Sequence, residues 1–249
     1  MTDRELRTCP VEGITVLLNL SIQSRPLALP RFAPYAPGWR PHDPPAVGVE
    51  GRTDISRSPA VSRDGLGAHE AIGGTLAEAM HLARERMTDL RRDVRLRAFG
   101  LAGRAWDGQL AGFDLVALPF DIATSTPAAW RDLEIGGARC IAVDTDAVAL
   151  LAWAPRAPLE TWVLPRAGLQ TFEGSNPAAV AGLAARTLDR LTRVLPAGTA
   201  VDLILVDGAP WRLELRPRLV SGGLFTSATG MPAHGGFPER GAAFLGDFG

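Results

Sequence analysis

Two stretches of the chain repeat apolar residues three or four positions apart, which is the spacing of one helix face. The first starts with Thr75-Leu76-Ala77-Glu78, a pattern that predicts a capping box, in which both polar side chains bind exposed amides. The second follows Asn176-Pro177, a capping residue followed by a proline that a first helical turn tolerates. The apolar stripes predict helices that extend to Val94 and Val194. The polar face of the first helix is expected to be solvated and carries Arg84, Glu85, Arg91 and Arg92.

Shorter apolar stretches predict β-strands. In chain order they are Ile14–Ile22, Phe113–Phe120, Arg139–Thr145, Ala147–Trp153, Leu159–Leu164, Val201–Val206 and Trp211–Leu215. Asp207-Gly208 separates the last two, and Asp-Gly between apolar stretches is a strong signal for a β-hairpin. Residues 100–112 are predicted to form a loop. The succession of helix, strands, helix and hairpin predicts an α+β domain, with helices packed on a mostly antiparallel sheet.

The N-terminal quarter differs from the rest of the chain because prolines are dense in it. After the first predicted strand, prolines occupy positions 26, 30, 34, 37, 41, 44 and 45. That density excludes both a helix and a central strand. We therefore expect residues 1–66 to wrap around a core that the remainder of the chain builds.

The composition of the 249 residues excludes several classes of function. A net charge of −1 gives no electrostatic basis for binding nucleic acid or an anionic membrane. No apolar run reaches the ~20 residues of a membrane span, and the charged N-terminus lacks a secretion signal, so a cytoplasmic protein is expected. The chain has no lysine, which excludes a phosphate-binding or Schiff-base lysine.

Metal and cofactor chemistry has little support in the sequence. Cys9 and Cys140 are too far apart along the chain for a metal-binding pair and are expected to stay unpaired. The four histidines are also scattered, without the spacing of metal ligands, at His42, His69, His81 and His234. We expect neither a bound metal nor a cofactor.

Three arginines near the end of the predicted sheet are candidates for anion binding. Arg212, Arg216 and Arg218 occupy alternate positions, so their side chains are expected to share one face of a strand. A row of guanidinium groups can bind an anion. A solvated sheet edge explains the same pattern nearly as well.

Several of these segments together resemble one protein family. Leu159–Phe172 resembles a segment of galactose-1-phosphate uridylyltransferases that reads roughly PFEVWILPKxHxxxF, with Glu160, Trp162 and Pro165 in matching positions. Further short matches follow the family order at Pro45–Gly48, Gly67–Ile72, Leu115–Pro119, Arg216–Leu219 and Pro238–Ala243.

The resemblance implies a histidine-triad-like fold with two related halves. We place a degenerate first half at residues 67–138 and the second half at residues 139–249. In active relatives, a histidine of a His-Pro-His motif attacks the α-phosphate of a nucleotide sugar and is itself nucleotidylated. A nearby glutamine or histidine steadies the anionic intermediate, and bound metal is common.

This chain departs from the family at the positions that carry that chemistry. Counted back from Leu115, the expected His-x-His-x-Gln positions are Leu110, Gly112 and Asp114. An imidazole nucleophile is therefore missing. An aspartate at the glutamine position adds negative charge where a phosphate group is expected, and like charges repel at short range.

The other family positions have changed as well. The histidine expected after the LPK-like segment falls near Gly168, and the C-terminal His-x-His falls near Pro210 and Arg212. The N-terminal Cys-Pro-x-Cys metal clamp of the family is reduced to Cys9-Pro10. The loss at every position points to a fold that was kept after its chemistry was abandoned or exchanged.

We therefore predict a divergent protein, a pseudoenzyme without nucleotidyl-transfer activity, that binds a nucleotide, a sugar phosphate or a protein partner. The candidate ligand-binding residues are Arg166, Arg212, Glu214, Arg216 and Arg218. A homodimer, or a complex with an active partner subunit, is compatible with dimerisation in the family. The alternative is an enzyme with altered transferase or hydrolase chemistry in the same cleft. It would use Asp114 as a general base, with the arginines holding an anionic substrate.

Overall fold

An antiparallel sheet of eight strands organises the part of the chain that the structure describes. The structure is a computed structural model, and it describes residues 4–27, 68–72, 74–92, 94, 96–118, 128–220 and 223–247. Most of the proline-rich N-terminal segment, including His42 and the family match at Pro45–Gly48, lies outside the described residues.

The described elements follow one another along the chain in this order. They are β1 (Arg4–Thr8), β2 (Thr15–Asn19), β3 (Arg25–Pro26), β4 (Ala68–Ile72), α1 (Leu76–Leu90), β5 (Ala98–Trp106), β6 (Gln109–Leu118), α2 (Ala128–Glu134), β7 (Cys140–Val143), β8 (Ala147–Leu151), β9 (Thr161–Pro165), α3 (Ala178–Val194), β10 (Ala200–Val206), β11 (Arg212–Pro217), β12 (Leu219–Val220), α4 (Gly223–Thr229), β13 (Ala233–His234) and α5 (Pro238–Gly246).

The eight strands lie in the order β4-β6-β5-β10-β11-β9-β8-β7, and each neighbouring pair is antiparallel. Two units of the same topology lie side by side in this sheet. In β4-α1-β5-β6 and in β9-α3-β10-β11, a strand and a helix precede a hairpin, and the first strand pairs with the last. The units meet where β5 pairs with β10. The division of the chain at residues 138 and 139 stays a prediction.

The sequence signals explain how both long helices begin. Thr75 Oγ1 accepts a hydrogen bond from Glu78 N at 3.3 Å, and Thr75 N donates to Glu78 Oε2 at 2.9 Å, which confirms the capping box. Before α3, Asn176 Oδ1 accepts a hydrogen bond from Ala178 N at 3.1 Å. The helix itself starts one residue later than predicted, with Pro177 as its N-cap.

The prediction of a loop at residues 100–112 is wrong, because these residues form most of β5 and the start of β6. The two strands are joined at Asp107 and Gly108, whose φ angles are 49° and 80°. Two successive residues with positive φ are typical of the tight turns that suit the twist of a β-hairpin. Three glycines in these strands, which lower β-propensity, hide the alternating pattern at Gly100, Gly103 and Gly112.

The polar face of α1 is tied to neighbouring elements and is not simply solvated. Arg84 Nη1 donates a hydrogen bond to Ser175 O at 2.8 Å, and Arg91 Nη2 donates to Asp207 Oδ2 at 2.6 Å. These two arginines connect α1 to the loop before α3 and to the β10–β11 hairpin.

Apolar side chains pack against both faces of the sheet. On one face, α1, α3 and α5 enclose a core in which the rings of Phe172 and Trp211 pack edge to face, 4.9 Å between centroids. On the other face, the β1–β2 hairpin and α2 pack over β8 and β9, where Trp130 lies 5.2 Å from Trp162. None of the helices in the described residues is long and apolar enough to cross a membrane.

The close packing of β5 against β6 predicts that a substitution to alanine destabilises the protein at one glycine of β5 and has little effect at another. A Cβ at Gly103 would lie 2.6 Å from Gly112 O and 2.6 Å from Phe113 Cδ1, whereas a Cβ at Gly100 would meet nothing within 4 Å. We expect Gly103→Ala to lower the free energy of unfolding by about 1–3 kcal/mol through overpacking. Gly100→Ala, the matched control, is expected to change it by less than about 0.5 kcal/mol. Urea unfolding measures both, and equal stabilities would contradict the described contact.

Candidate ligand-binding face of the sheet

Charged side chains meet on the sheet face that is turned away from α1 and α3, which we name the site face. The cross-strand register places Gly112 of β6, Arg104 of β5, Asp202 of β10 and Arg216 of β11 opposite one another in a single row. Residues directly opposite on antiparallel strands share a face and interact. Arg104 Nε donates to Asp202 Oδ1 at 2.6 Å, and this hydrogen bond joins the two topological units.

A cavity of about 230 Å³ opens where the two units meet, and we name it the seam cavity. Asp114, Arg104 and Asp202 contribute its charged groups, and Trp106 and Ile204 contribute apolar surface. Small residues complete the lining at Ala102, Gly103, Ala111 and Gly112. The cavity thus joins two carboxylates, one guanidinium and an indole ring at the place where the family motif predicts catalysis.

A bulge in β6 separates the positions that the family motif assigns to catalysis. The register between β5 and β6 shifts at this point, so that Ala111 is left without a direct partner. As a result, Leu110 packs against the core under the helices, whereas Gly112 and Asp114 line the seam cavity. Gly112 has a φ of 147°, which side chains other than glycine rarely adopt. The backbone as well as the side chains is therefore unsuited to a histidine nucleophile at these positions.

His234 is fully buried, and both of its ring nitrogens are used by the backbone. Nε2 donates a hydrogen bond to Pro155 O at 2.7 Å, and Nδ1 accepts one from Gly236 N at 3.1 Å. Burial lowers the pKa of the imidazole and keeps it neutral. This histidine therefore holds the loop before β9 against β13 and has no free nitrogen for a substrate.

Arg212 belongs to a buried ion-pair network on the site face. Its Nη2 contacts Glu12, its Nε donates to Glu214 Oε1 at 2.8 Å, and its guanidinium carbon lies 4.2 Å from the ring centre of Trp162. The side chains of Arg212 and Glu214 are each 1% exposed. A guanidinium enclosed in this way stabilises the packing of the N-terminal segment on the sheet and is shielded from a ligand.

Glu12 reaches this network from the turn that follows Cys9. The turn is closed by Gly13 N, which donates to Cys9 O at 2.9 Å. In the Cys-Pro-x-Cys motif of the family, the position of Glu12 is that of the second cysteine, but here a carboxylate contacts Arg156 Nη2 at 2.5 Å. Burial raises the pKa of the Cys9 thiol, and a thiol in that state is a poor nucleophile or metal ligand.

The remaining carboxylates of the network are also paired with arginines. Glu160 Oε1 accepts a hydrogen bond from Arg156 Nη1 at 2.8 Å, and Glu214 Oε2 accepts one from Arg216 Nη2 at 2.7 Å. Burial raises the pKa of Glu160, while the charges of Arg216 and Arg156 oppose that effect. Most of the positive charge in the network is thus already balanced inside the protein.

The predicted site residues do not gather at one point. Arg216 and Arg218 lie at the solvent edge of the network, where Arg218 Nη1 is 3.3 Å from Asp202 Oδ2. Arg166 lies beyond the opposite end of β9, where its Nη1 donates to Asp144 O at 3.2 Å. Asp114 lines the seam cavity, whose described lining contains none of the four predicted arginines.

Sequence reasoning missed Arg104 and Asp202, the two residues that join the units across the seam cavity. The prediction of a loop at residues 100–112 gave no sign that Arg104 lies on a strand and faces the site. Asp202 stands at a polar position inside an apolar strand, and that position was the available signal. No group of three or more His, Cys, Asp or Glu side chains among the described residues is arranged to hold a metal ion.

Solved structures with the same fold have low sequence identity to this chain. An ADP-glucose phosphorylase from Arabidopsis thaliana, crystallised with bound ADP-glucose, has a TM-score of 0.70 at 17% identity, covering 98% of this chain and 99% of that chain. A GalT-like protein from Arabidopsis thaliana has a TM-score of 0.65 at 16% identity and covers 99% of both chains. A uridylyltransferase structure has a TM-score of 0.61 at 15% identity and covers 98% of both chains.

No protein-family model and no curated protein sequence matches the chain. The structural likeness confirms the predicted α+β, histidine-triad-like fold, in its galactose-1-phosphate uridylyltransferase-like form. At these identities the likeness concerns the fold, so the chemistry of the chain has to be argued from its own residues.

The buried network predicts that two arginines of the candidate set differ sharply in their effect on stability. We expect Arg212→Ala to lower the free energy of unfolding by about 3–5 kcal/mol, because it removes one of the counter-charges of the enclosed carboxylates of Glu12 and Glu214. Arg166→Ala removes an exposed side chain and is expected to cost less than about 0.5 kcal/mol. Urea unfolding of both variants checks this, and an Arg212→Ala protein as stable as Arg166→Ala would contradict the network.

The buried imidazole of His234 predicts a pH dependence of stability. Its pKa is lowered in the folded state, so the unfolded chain binds the proton first, and stability falls as the pH drops below the usual value of about 6.5. The slope contributed by one proton is at most about 1.4 kcal/mol per pH unit. His234→Gln keeps a donor for Pro155 O but cannot titrate, so its stability should change less between pH 7.5 and pH 5.5. Urea unfolding at both pH values measures this change, and an equal loss of stability in both proteins would contradict the assignment to His234.

Proposed function

We propose that this chain is a divergent protein of uridylyltransferase-like fold that has lost nucleotidyl transfer through histidine and that binds a nucleotide sugar or a sugar phosphate with the sugar ring in the seam cavity. One observation carries the proposal. At the position of the motif, the seam cavity presents the backbone of Gly112 and the carboxylates of Asp114 and Asp202, with no imidazole among its described lining residues.

The electrostatics of the seam cavity argue against the family reaction. A nucleotidyl-histidine intermediate needs a nucleophile close to donors that stabilise the charge on the phosphate. At the position of the steadying glutamine, Asp114 places a negatively charged carboxylate, which has the same sign as the phosphate. Two like unit charges about 4 Å apart repel by roughly 4 kcal/mol at an effective dielectric constant of about 20. That repulsion is large enough to slow attack on an α-phosphate by about a thousandfold.

The same cavity keeps features that suit a polar small molecule. It combines an indole ring with a few charged groups, as ligand sites in proteins commonly do. Its volume of about 230 Å³ is smaller than the roughly 300–1,000 Å³ of sites for drug-sized ligands, so we infer that it holds one part of a ligand, such as a sugar ring. The bound ADP-glucose of the Arabidopsis phosphorylase gives independent support for a nucleotide sugar.

A second candidate is an enzyme with altered transferase or hydrolase chemistry that uses Asp114 as a general base. The observation in its favour is that Asp114 shares the seam cavity with Arg104, which could hold an anionic substrate. The observation against it is that Arg104 is already bound to Asp202, while Arg212 is buried elsewhere. This candidate would be favoured if the protein turned over a substrate without forming a covalent intermediate and if Asp114→Asn abolished that turnover.

The proposal predicts binding without transfer. We expect no covalent nucleotidyl adduct by intact-protein mass spectrometry and no transfer to sugar phosphates after incubation with UDP-glucose or ADP-glucose. An active uridylyltransferase serves as the positive control. In a thermal-shift panel of nucleotides, sugar phosphates and nucleotide sugars, a ligand at ~100 times its dissociation constant adds ~2.7 kcal/mol of stability.

Variants of Ile204 identify the cavity responsible for any response. Ile204 lines the seam cavity, so Ile204→Trp should fill it and remove the thermal shift given by nucleotide sugars, while Ile204→Val should keep that shift. A covalent adduct with turnover would contradict the loss of transfer chemistry. If no compound of the panel shifted the melting temperature, small-ligand binding would be contradicted and a protein partner would be favoured.

The oligomeric state belongs to the same proposal. Family dimerisation suggests a homodimer or a complex in which an active partner subunit supplies the missing histidines. Native mass spectrometry of the purified protein distinguishes a monomer from a homodimer, and a monomer at micromolar concentration would contradict the homodimer.

A further inference from the structure

A second cavity, of about 360 Å³, opens on the site face between the end of β11, α4 and β13. Three arginines line it: Arg156, Arg216 and Arg218. The hydroxyl-bearing side chain of Thr226 lies on the α4 side, and the other lining residues are apolar. No acidic residue is among its described lining residues. We name it the arginine cavity, because all the charged side chains among its described lining residues are arginines.

The carboxylates that balance these arginines lie behind them. Glu160 and Glu214 are each 1% exposed and contact Arg156 and Arg216 from within the protein. The partner of Arg218 is Asp202, which lines the seam cavity instead. The internal pairs therefore fix the guanidinium groups in place and leave one side of them turned to the arginine cavity. A preorganised cationic wall of this kind suits an anion, since little side-chain freedom is lost on binding.

Three donors around this cavity have no hydrogen-bond acceptor within the described part of the chain. They are Arg216 Nε, Arg218 Nε and Thr226 Oγ1, and all three atoms are buried. Arg216 Nε is 3.5 Å from Glu160 Oε1, which is longer than an N–H···O hydrogen bond. A buried donor without an acceptor destabilises the folded protein, and native proteins leave few such atoms. Three of them around a single cavity indicate acceptor oxygens from outside the described residues, which a bound anion can supply.

We propose that the arginine cavity binds a phosphate group, either as free phosphate or as a phosphate monoester. A tetrahedral phosphate offers several acceptor oxygens to donors that approach from different elements, whereas a planar carboxylate offers two in one plane. Guanidinium forks match phosphate oxygens in geometry and charge. The volume of about 360 Å³ leaves room for a small organic group attached to the phosphate.

This proposal goes beyond the function assigned to the seam cavity and does not depend on it. The two cavities share no lining residue and are separated by the Asp202–Arg218 pair. Thr226→Val therefore changes the arginine cavity without touching the seam cavity, whereas Arg218→Gln also removes one partner of Asp202. Failure of either proposal leaves the other standing.

The test measures the affinity for inorganic phosphate and for glucose 1-phosphate by isothermal titration calorimetry, at constant ionic strength and with acetate as the carboxylate comparison. We expect both phosphates to bind the full-length protein, and acetate to bind at least about tenfold more weakly. Arg218→Gln and Thr226→Val should each weaken phosphate binding by about tenfold or more, because each removes a donor to a charged acceptor.

Matched controls separate this site from general charge effects. Arg166→Gln removes an arginine remote from the cavity, and Ser227→Ala removes an exposed hydroxyl of α4, so both should bind phosphate like the parent protein. Thr226→Val should unfold at the same urea concentration as the parent, because valine has the same shape and leaves no unpaired hydroxyl. Arg218→Gln should remain folded, since Asp202 keeps its hydrogen bond to Arg104.

Three results would overturn the proposal. The first is no phosphate binding to the parent protein, and the second is parent-like binding by both Arg218→Gln and Thr226→Val. The third is acetate binding as tightly as phosphate, which would reassign the cavity to carboxylates. The Ile204→Trp variant gives the complementary readout: it should keep phosphate binding while losing any nucleotide-sugar response of the seam cavity.

Discussion

The antiparallel pairing of β5 with β10 is the contact on which the rest of this structure depends. Each topological unit alone has a strand, a helix and a hairpin, which is close to the smallest sheet that can be stable by itself. Pairing the two hairpins makes one sheet, with a continuous core under α1 and α3. It also aligns the polar positions of both hairpins, so that Arg104 meets Asp202 and the seam cavity forms between them. Neither unit contains this site by itself.

The need to pair buried charges divides the arginines of the site face into two groups. Arg212 is enclosed by Glu12, Glu214 and the ring of Trp162, and a buried ion of this kind is tolerated only when its partners are present. Arg216 and Arg218 have carboxylates on one side and open space on the other. Alternation along β11 and into Arg218, the residue that directly follows it, places all three on one face, as the sequence predicts. Their different roles depend on acidic partners that alternation does not reveal.

Sequence patterns predicted the elements whose cause is local and missed those whose cause is distant. The capping box at Thr75 and the hairpin at Asp207 depend on neighbouring residues, so the sequence alone predicts both. The turn at Asp107 has the same Asp-Gly signal, but glycines in the flanking strands masked it. The contact between Glu12 and Arg212 joins residues 200 positions apart, and no spacing rule indicates such a pair. The fold class was therefore predictable, whereas the division of the site face into two cavities was not.

The backbone of β6, as well as its side chains, is unsuited to a histidine motif at positions 110, 112 and 114. A side chain at position 112 would have to accept a φ of 147°, and the bulge beside it turns position 110 toward the core. A histidine at position 112 would therefore have a strained φ angle, and a histidine at position 110 would point into the core, each at a cost of about 1–3 kcal/mol. Positions 110 and 112 would share a face only if β6 paired with β5 without the bulge, so that Ala111 was opposite its own partner residue. The backbone of β6 is thus a second reason, beside the side chains at these positions, to argue the function of this chain from its own residues and not from its structural neighbours.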